Sequence, residues 1–204
     1  KVGLGIDTST GSVRLSETDL SVPGQVPLAF TRYYTAHADR YGALGYRWSH
    51  TYDTRLVFAE DDVGVIFGSG REEFFLQDGG SFTPADVRVH SALVQEPGGG
   101  YTLTTKDNLS YRFTQAGALS EIRDLNGNTV DLAYDPQGRL TTVTGEGGVT
   151  LTLAYDGQGR LASLTDPATA VHTYAYDAAG DLVSVTDPEG GVRTYAYDRH
   201  RLAT

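Results

Sequence analysis

A four-residue phrase returns at a fixed step of 21 residues: Leu132-Ala133-Tyr134-Asp135, Leu153-Ala154-Tyr155-Asp156, Tyr174-Ala175-Tyr176-Asp177 and Tyr195-Ala196-Tyr197-Asp198. A period in the twenties limits the chain to repeat architectures, in which each unit is one supersecondary element that buries its apolar face only against its neighbours. Tyr174 and Tyr176 flank the small Ala175, so in an extended backbone both rings leave one face of a sheet and the alanine leaves the other. The unit therefore begins with a strand.

A turn follows each tyrosine: Asp135-Pro136-Gln137-Gly138, Asp156-Gly157-Gln158-Gly159 and Asp177-Ala178-Ala179-Gly180. Aspartate at the first place, proline tolerated at the second and glycine at the fourth make a type I turn whose last residue takes positive φ. Asp135, Asp156, Asp177 and Asp198 are thus read as turn caps, and Gly138, Gly159 and Gly180 as left-handed turn residues. The second strand, Leu140 to Val143 and its equivalents Leu161 to Leu164 and Leu182 to Val185, is apolar at its first and fourth places. That spacing needs a bulge or strong twist to bring both side chains to one face. A second turn, as in Thr186-Asp187-Pro188-Glu189-Gly190, closes the unit, and the whole reads as a continuous antiparallel ribbon.

The period decays backward, with Phe113, Gly117, Leu119 and Ile122 each 21 residues ahead of Tyr134, Gly138, Leu140 and Val143. Such a degenerate unit is expected to act as a cap. At the other end Arg199-His200-Arg201-Leu202 lacks the turn glycine and the text stops inside a unit. With no methionine anywhere and Lys1 at the start, the expectation is a piece of a longer protein.

The first half does not repeat. Gly11 to Leu20 alternates apolar with polar, Ser21 to Pro27 is a Pro/Gly turn region, and Leu28 to Tyr34 is an aromatic-rich strand. Short strands follow at hairpin spacing through Val63 to Phe67, Arg71 to Leu76 and Ser81 to Pro84. No stretch carries helical periodicity. The expected fold is all-β, with a non-repeat β-domain over residues 1–92 and a curved, spiralling sheet of 21-residue hairpins over residues 93–204.

The net charge of -10 falls evenly on both halves, so there is no basic stripe to follow a phosphate backbone and nucleic acid is not an expected partner. No apolar run reaches the about 18 residues needed to span a bilayer. The five histidines, at 37, 50, 90, 172 and 200, share no ligand spacing, so neither metal nor cofactor is expected. His50, beside Arg47 and Trp48, reads as packed turn structure. Glu72-Glu73 and Asp61-Asp62 are adjacent on strands and face opposite ways, so they cannot share a proton, and no catalytic constellation is visible.

The phrases Tyr134-Asp135-Pro136-Gln137-Gly138-Arg139-Leu140 and Tyr155-Asp156-Gly157-Gln158-Gly159-Arg160-Leu161 resemble the YD repeats of the Rhs family. Thr10 to Val13, Pro27 to Tyr34 and Leu44 to His50 resemble the domain that stands before those repeats in bacterial members. The resemblance implies a wall of a hollow β-cocoon, secreted or at the cell surface of a bacterium, that encloses a C-terminal toxin or effector. Further C-terminal repeats and that toxin would be its partners. Asp181 departs from the pattern, standing where the units before it have Arg139 and Arg160. Asp187-Pro188-Glu189-Gly190 is similar to the family's self-cleavage motif, but Asp166-Pro167 occupies the same place one unit earlier, so the repeat turn accounts for both.

The tyrosine face allows two readings. Tyr134, Tyr155, Tyr176 and Tyr197 can form a structural ladder whose cross-strand pairs each contribute about 0.2–1 kcal/mol. Alternatively Tyr174, Tyr176 and Tyr195 stack on sugars, making the chain a glycan-binding or adhesion module. An open strand at the last unit would also permit edge-to-edge self-association.

Overall fold

The computed structural model describes residues 5–7 and 12–203. Thr10 and Gly11, where the first expected strand and the pre-repeat resemblance begin, lie outside the described residues. All pairing is antiparallel, and the single helical turn among the described residues is the three-residue Glu146–Gly148.

Eleven strands from Ala92–Gln95 to Val192–Thr194 form one sheet in strict chain order. The sheet therefore begins three strands ahead of Leu119, before the degenerate unit is complete. Each repeat hairpin carries the bulge that its apolar spacing demanded. Tyr134 pairs with Leu140 and Ala133 with Thr142, leaving Thr141 as the extra residue. The same shift occurs opposite Tyr155 and Tyr176, with Ala162 and Val183 as the extra residues. By flipping the alternation once, the bulge points both Leu140 and Val143 into the core, at 5% and 0% exposure.

Two four-stranded sheets come from the first half. One runs Gly5–Asp7, Ser12–Val22, Leu28–Thr35, Trp48–His50, and the other runs Ser81–Pro84, Glu72–Asp78, Asp62–Ile66, Arg55–Phe58. Ser21 and Val22, where Pro23 and Gly24 predict a turn, extend the second strand by pairing with Ala29 and Leu28. A register shift between Thr18 and Leu20 keeps that pairing in step. The last unit also differs from its siblings. Tyr197 pairs with Leu202 around Arg199 and His200, both left-handed at φ 48° and 64°, so a two-residue turn replaces the glycine turn.

One apolar core joins all of this, running from Phe30, Trp48 and Phe75 in the first half to Leu103, Leu151, Leu161 and Leu182 in the long sheet. Backbone bonds stitch the parts: Leu56 N–H donates to Gly117 O at 2.8 Å and Leu161 N–H to Ala43 O at 2.7 Å. The Tyr41–Gly42/Gly45–Tyr46 hairpin approaches the third repeat turn most closely. A Cβ on Gly45 would lie 2.3 Å from the carbonyl oxygen of Gly180, and Gly45 is left-handed at φ 85°. Gly159, at φ 78°, faces open space.

Alanine at these two glycines separates backbone strain from lost docking. Gly159→Ala is expected to cost about 1–2 kcal/mol from its left-handed backbone alone. Gly45→Ala is expected to cost about 1–3 kcal/mol more, because backbone must move to admit the methyl. Urea denaturation of both variants measures the difference.

Candidate functional site

The repeat tyrosines line up as a ladder. Tyr134 Oη donates to Leu119 O at 2.7 Å, Tyr155 to Leu140 O at 2.8 Å, Tyr176 to Leu161 O at 2.8 Å and Tyr197 to Leu182 O at 2.7 Å. In each case a phenol meets the carbonyl of the first leucine of the preceding hairpin, beside its bulge. Burial holds all four phenols above their ordinary pKa.

The aspartates sit in the turns. Asp135 Oδ1 accepts from the backbone N–H of Gln137 at 3.0 Å and Arg139 at 2.9 Å, and Arg139 Nε donates to Oδ2 at 2.6 Å. Asp156 repeats the set with Gln158 and Arg160. The paired guanidinium then lies over the next tyrosine, Arg139 at 5.1 Å from the Tyr155 ring and Arg160 at 4.6 Å from the Tyr176 ring. Gly138, Gly159 and Gly180 have φ of 78°, 78° and 87°. Asp187 Oδ1 accepts from Glu189 and Gly191 N–H, so its Asp-Pro sequence is held as a repeat turn.

The third unit breaks this pattern. Asp177 caps its turn through Ala179 and Asp181 N–H. Asp181, where an arginine is expected, is 3% exposed and sits 2.9 Å from His200 Nδ1. Among the described residues no guanidinium lies over Tyr197, and its Oη accepts from the indole N–H of Trp48 at 2.8 Å. Tyr34 Oη donates to His200 O and accepts from Leu202 N–H, which fixes the shortened turn. The Asp198 side chain is exposed in that turn.

A buried ionic cluster ties the first half to units three and four. The strand Leu28–Thr35 points Leu28, Phe30, Arg32 and Tyr34 inward, so a guanidinium stands in an otherwise apolar row. Arg32 donates to Glu17 Oε2 at 2.8 Å, to Asp19 through Nε at 2.6 Å and Nη2 at 2.8 Å, and to Tyr195 Oη at 2.9 Å. Tyr174 Oη donates to Asp19 Oδ2 at 2.9 Å and Tyr195 Oη donates to Glu17. Arg193 Nη1, 3.5 Å from Glu17, brings the cluster to two cations against two carboxylates. Burial disfavours the charge on Arg32, but the hydrogen bond and charge of Asp19 outweigh it, and its pKa is raised.

The cluster was not found in the sequence, since its partners are up to 178 residues apart. The signal was Glu17 on the inward face of its strand and Arg32 between Phe30 and Tyr34. Tyr174 and Tyr195, considered above as sugar contacts, are 6% and 8% exposed with both hydroxyls bonded to carboxylates. A sugar would have to displace the first-half strands to reach either ring. Tyr176 is half-buried, its hydroxyl on Leu161 O. His50 is buried, stacked on Phe30 with centroids 4.9 Å apart, and burial keeps its pKa below the ordinary value. Its backbone N–H and that of Asp53 are tied in one turn, as expected of packed structure.

Replacing Arg32 by Met leaves two carboxylates buried without their shared cation and is expected to cost about 3–5 kcal/mol in chemical denaturation. Removing one ladder hydroxyl, as in Tyr155→Phe, is expected to cost about 0.5–1.5 kcal/mol. Alkaline pH tests the same bonds together. Tyr195 is pushed up to about 12, chiefly by burial, with the Glu17 bond adding to it and Arg32 opposing. A raised folded pKa contributes stability that is whole below the unfolded value of 10.0 and is lost as pH climbs through the folded one. Stability is expected to fall above pH 10.0, toward about 12, in step with tyrosinate absorbance.

Comparison with known proteins gives three findings. The profile of a domain of unknown function (DUF6531) matches residues 3–75, and that of the RHS repeat matches residues 134–171 and 176–204. The double-stranded DNA deaminase toxin A of Burkholderia cenocepacia (strain H111) is 34% identical over 150 residues, covering 67% of this chain and 10% of that protein. A mutant Tc holotoxin pore of Photorhabdus luminescens aligns with 95% of this chain and 10% of its own, at 16% identity and a TM-score of 0.34. The chain thus spans about a tenth of the length of either relative. Among the described residues no helix is long and apolar enough to cross a membrane. With a pre-repeat domain and RHS repeats both matched in their expected order, the chain belongs to the Rhs/YD-repeat family.

Proposed function

We propose that this chain is a structural segment of the shell of a toxin-carrying Rhs-type protein, with no active site of its own. The observation that carries the reading is the sealed tyrosine ladder. Phenols that could have served as ligand contacts are bonded to the backbone of the preceding unit or to carboxylates of the first half. Their role is to hold a wall. The residues up to about 92 act as a distinct unit that covers the apolar face of the repeat sheet, and further hairpins extend the sheet from Val192–Thr194, whose side chains are exposed. The enclosed cargo is a C-terminal toxin or effector, and the whole is exported or injected toward a rival or host cell. The deaminase activity in the name of the Burkholderia relative belongs to that protein and is not assigned to this segment.

Protease protection in the parent polypeptide tests the reading. A C-terminal cargo is expected to resist added protease while the wall is intact and to be cut once Leu164, fully buried in the sheet, is changed to Asp. Equal cleavage before and after the substitution contradicts enclosure.

A further inference from the structure

The outer face of the second four-stranded sheet carries a cleft unlike the rest of the surface. Its volume is about 1020 Å³, and Arg14, Arg40, Arg47, Arg55 and Arg71 line it. Two carboxylates, Asp39 and Glu72, line it too. With Asp53 and Glu73, which pair with Arg40 and Arg71, five cations stand against four carboxylates, a small positive excess on a chain of net charge -10. Its floor is apolar. Val57 and Phe74, paired through Gly64, remain 38% and 44% exposed on the face turned away from the core. Their side chains close over Gly64, where a Cβ would lie 2.8 Å from Val57 and 2.9 Å from Phe74. Exposed apolar side chains grouped in this way mark interaction surfaces.

The arginines differ in how far their charge is answered. Arg40 pairs with Asp53 at 3.0 Å, and Arg71 pairs with Glu73 at 2.9 Å while lying 3.7 Å from the Phe67 ring. Arg55 Nη1 and Arg47 Nε are shielded from solvent and have no hydrogen-bond partner among the described residues. Burial and the neighbouring Arg40 hold the pKa of Arg55 below its ordinary value, against the pull of Asp53 and Glu72. A shielded guanidinium nitrogen without an acceptor costs free energy until an acceptor arrives.

We propose that this cleft binds an extended acidic peptide segment, its carboxylates on Arg55 and Arg47 and its alternate apolar side chains on Val57 and Phe74. An extended peptide places successive side chains on opposite sides, so one row can meet the apolar floor while the other reaches the arginines. A nucleic acid fits less well. It would lay phosphates against the apolar floor of Val57 and Phe74, where an extended peptide can set apolar side chains.

Fluorescence anisotropy with a labelled peptide of alternating Glu and Leu, at low salt, tests the proposal on the chain as it stands. Saturable binding is expected, weakened about tenfold by Arg55→Gln and by Phe74→Ser. Circular dichroism checks that each variant keeps its sheet. Glu72→Gln removes a like charge from an exposed rim position and is expected to tighten binding, which gives a readout that does not depend on a loss. The proposal is overturned by no saturable binding, by equal binding of the matching Gln-Leu peptide, or by unchanged affinity in the three variants. Tighter binding of single-stranded DNA than of the peptide at the same salt would overturn it as well.

Discussion

The hydrogen bond from each tyrosine to a carbonyl 15 residues earlier is what the architecture depends on. It is made between successive hairpins, so no unit is complete until the next one folds. The bulge and this bond act together. The extra residue brings two apolar side chains of the second strand to one face, and the phenol binds the leucine carbonyl beside the irregularity. Each such bond contributes about 1 kcal/mol, but it also fixes the position of the ring and therefore the step from one unit to the next. Stability in such an array is a sum of unit and neighbour terms.

A sheet with one apolar face must cover it, and here the first-half strands do so. Their contacts are selective. Arg32 reaches Tyr195, Asp19 receives Tyr174, Trp48 donates to Tyr197 and Gly45 lies against Gly180. All four fall on units three and four, while Leu56 and Ala43 bond to Gly117 and Leu161 of earlier hairpins. Apolar contact supplies the attraction, while the buried charges and the close glycine contact restrict where the first half can settle, because a shift back by one unit would set Asp19 against Leu153 in place of Tyr174.

The repeat half of the fold could be read from the sequence because its determinants are local. Tyrosine spacing gave the strand face, Asp and Gly gave the turn, and the first-and-fourth apolar pattern gave the bulge. Ser21 and Val22 were misassigned because Pro23 and Gly24 mark a turn without fixing where it begins, and cross-strand partners decided the boundary. Arg199 and His200 were known only to lack glycine, and their left-handed conformation rests on bonds from Tyr34 that no local pattern announces. The ionic cluster escaped for the same reason. Its members are ordinary strand residues until tertiary packing removes the water around them, and the local signal is confined to Glu17 on an inward face and Arg32 lodged in an aromatic row.

Asp181 has a consequence for how such a chain finds its one arrangement. A periodic lattice offers identical seats, and a lid that fits one could slide to another. Asp181 ends the arginine-over-ring stack that Arg139 and Arg160 form, pairs with His200 and leaves the Tyr197 hydroxyl to Trp48. The misprinted unit serves as an address label that joins the buried charges in marking one berth on a repeating surface.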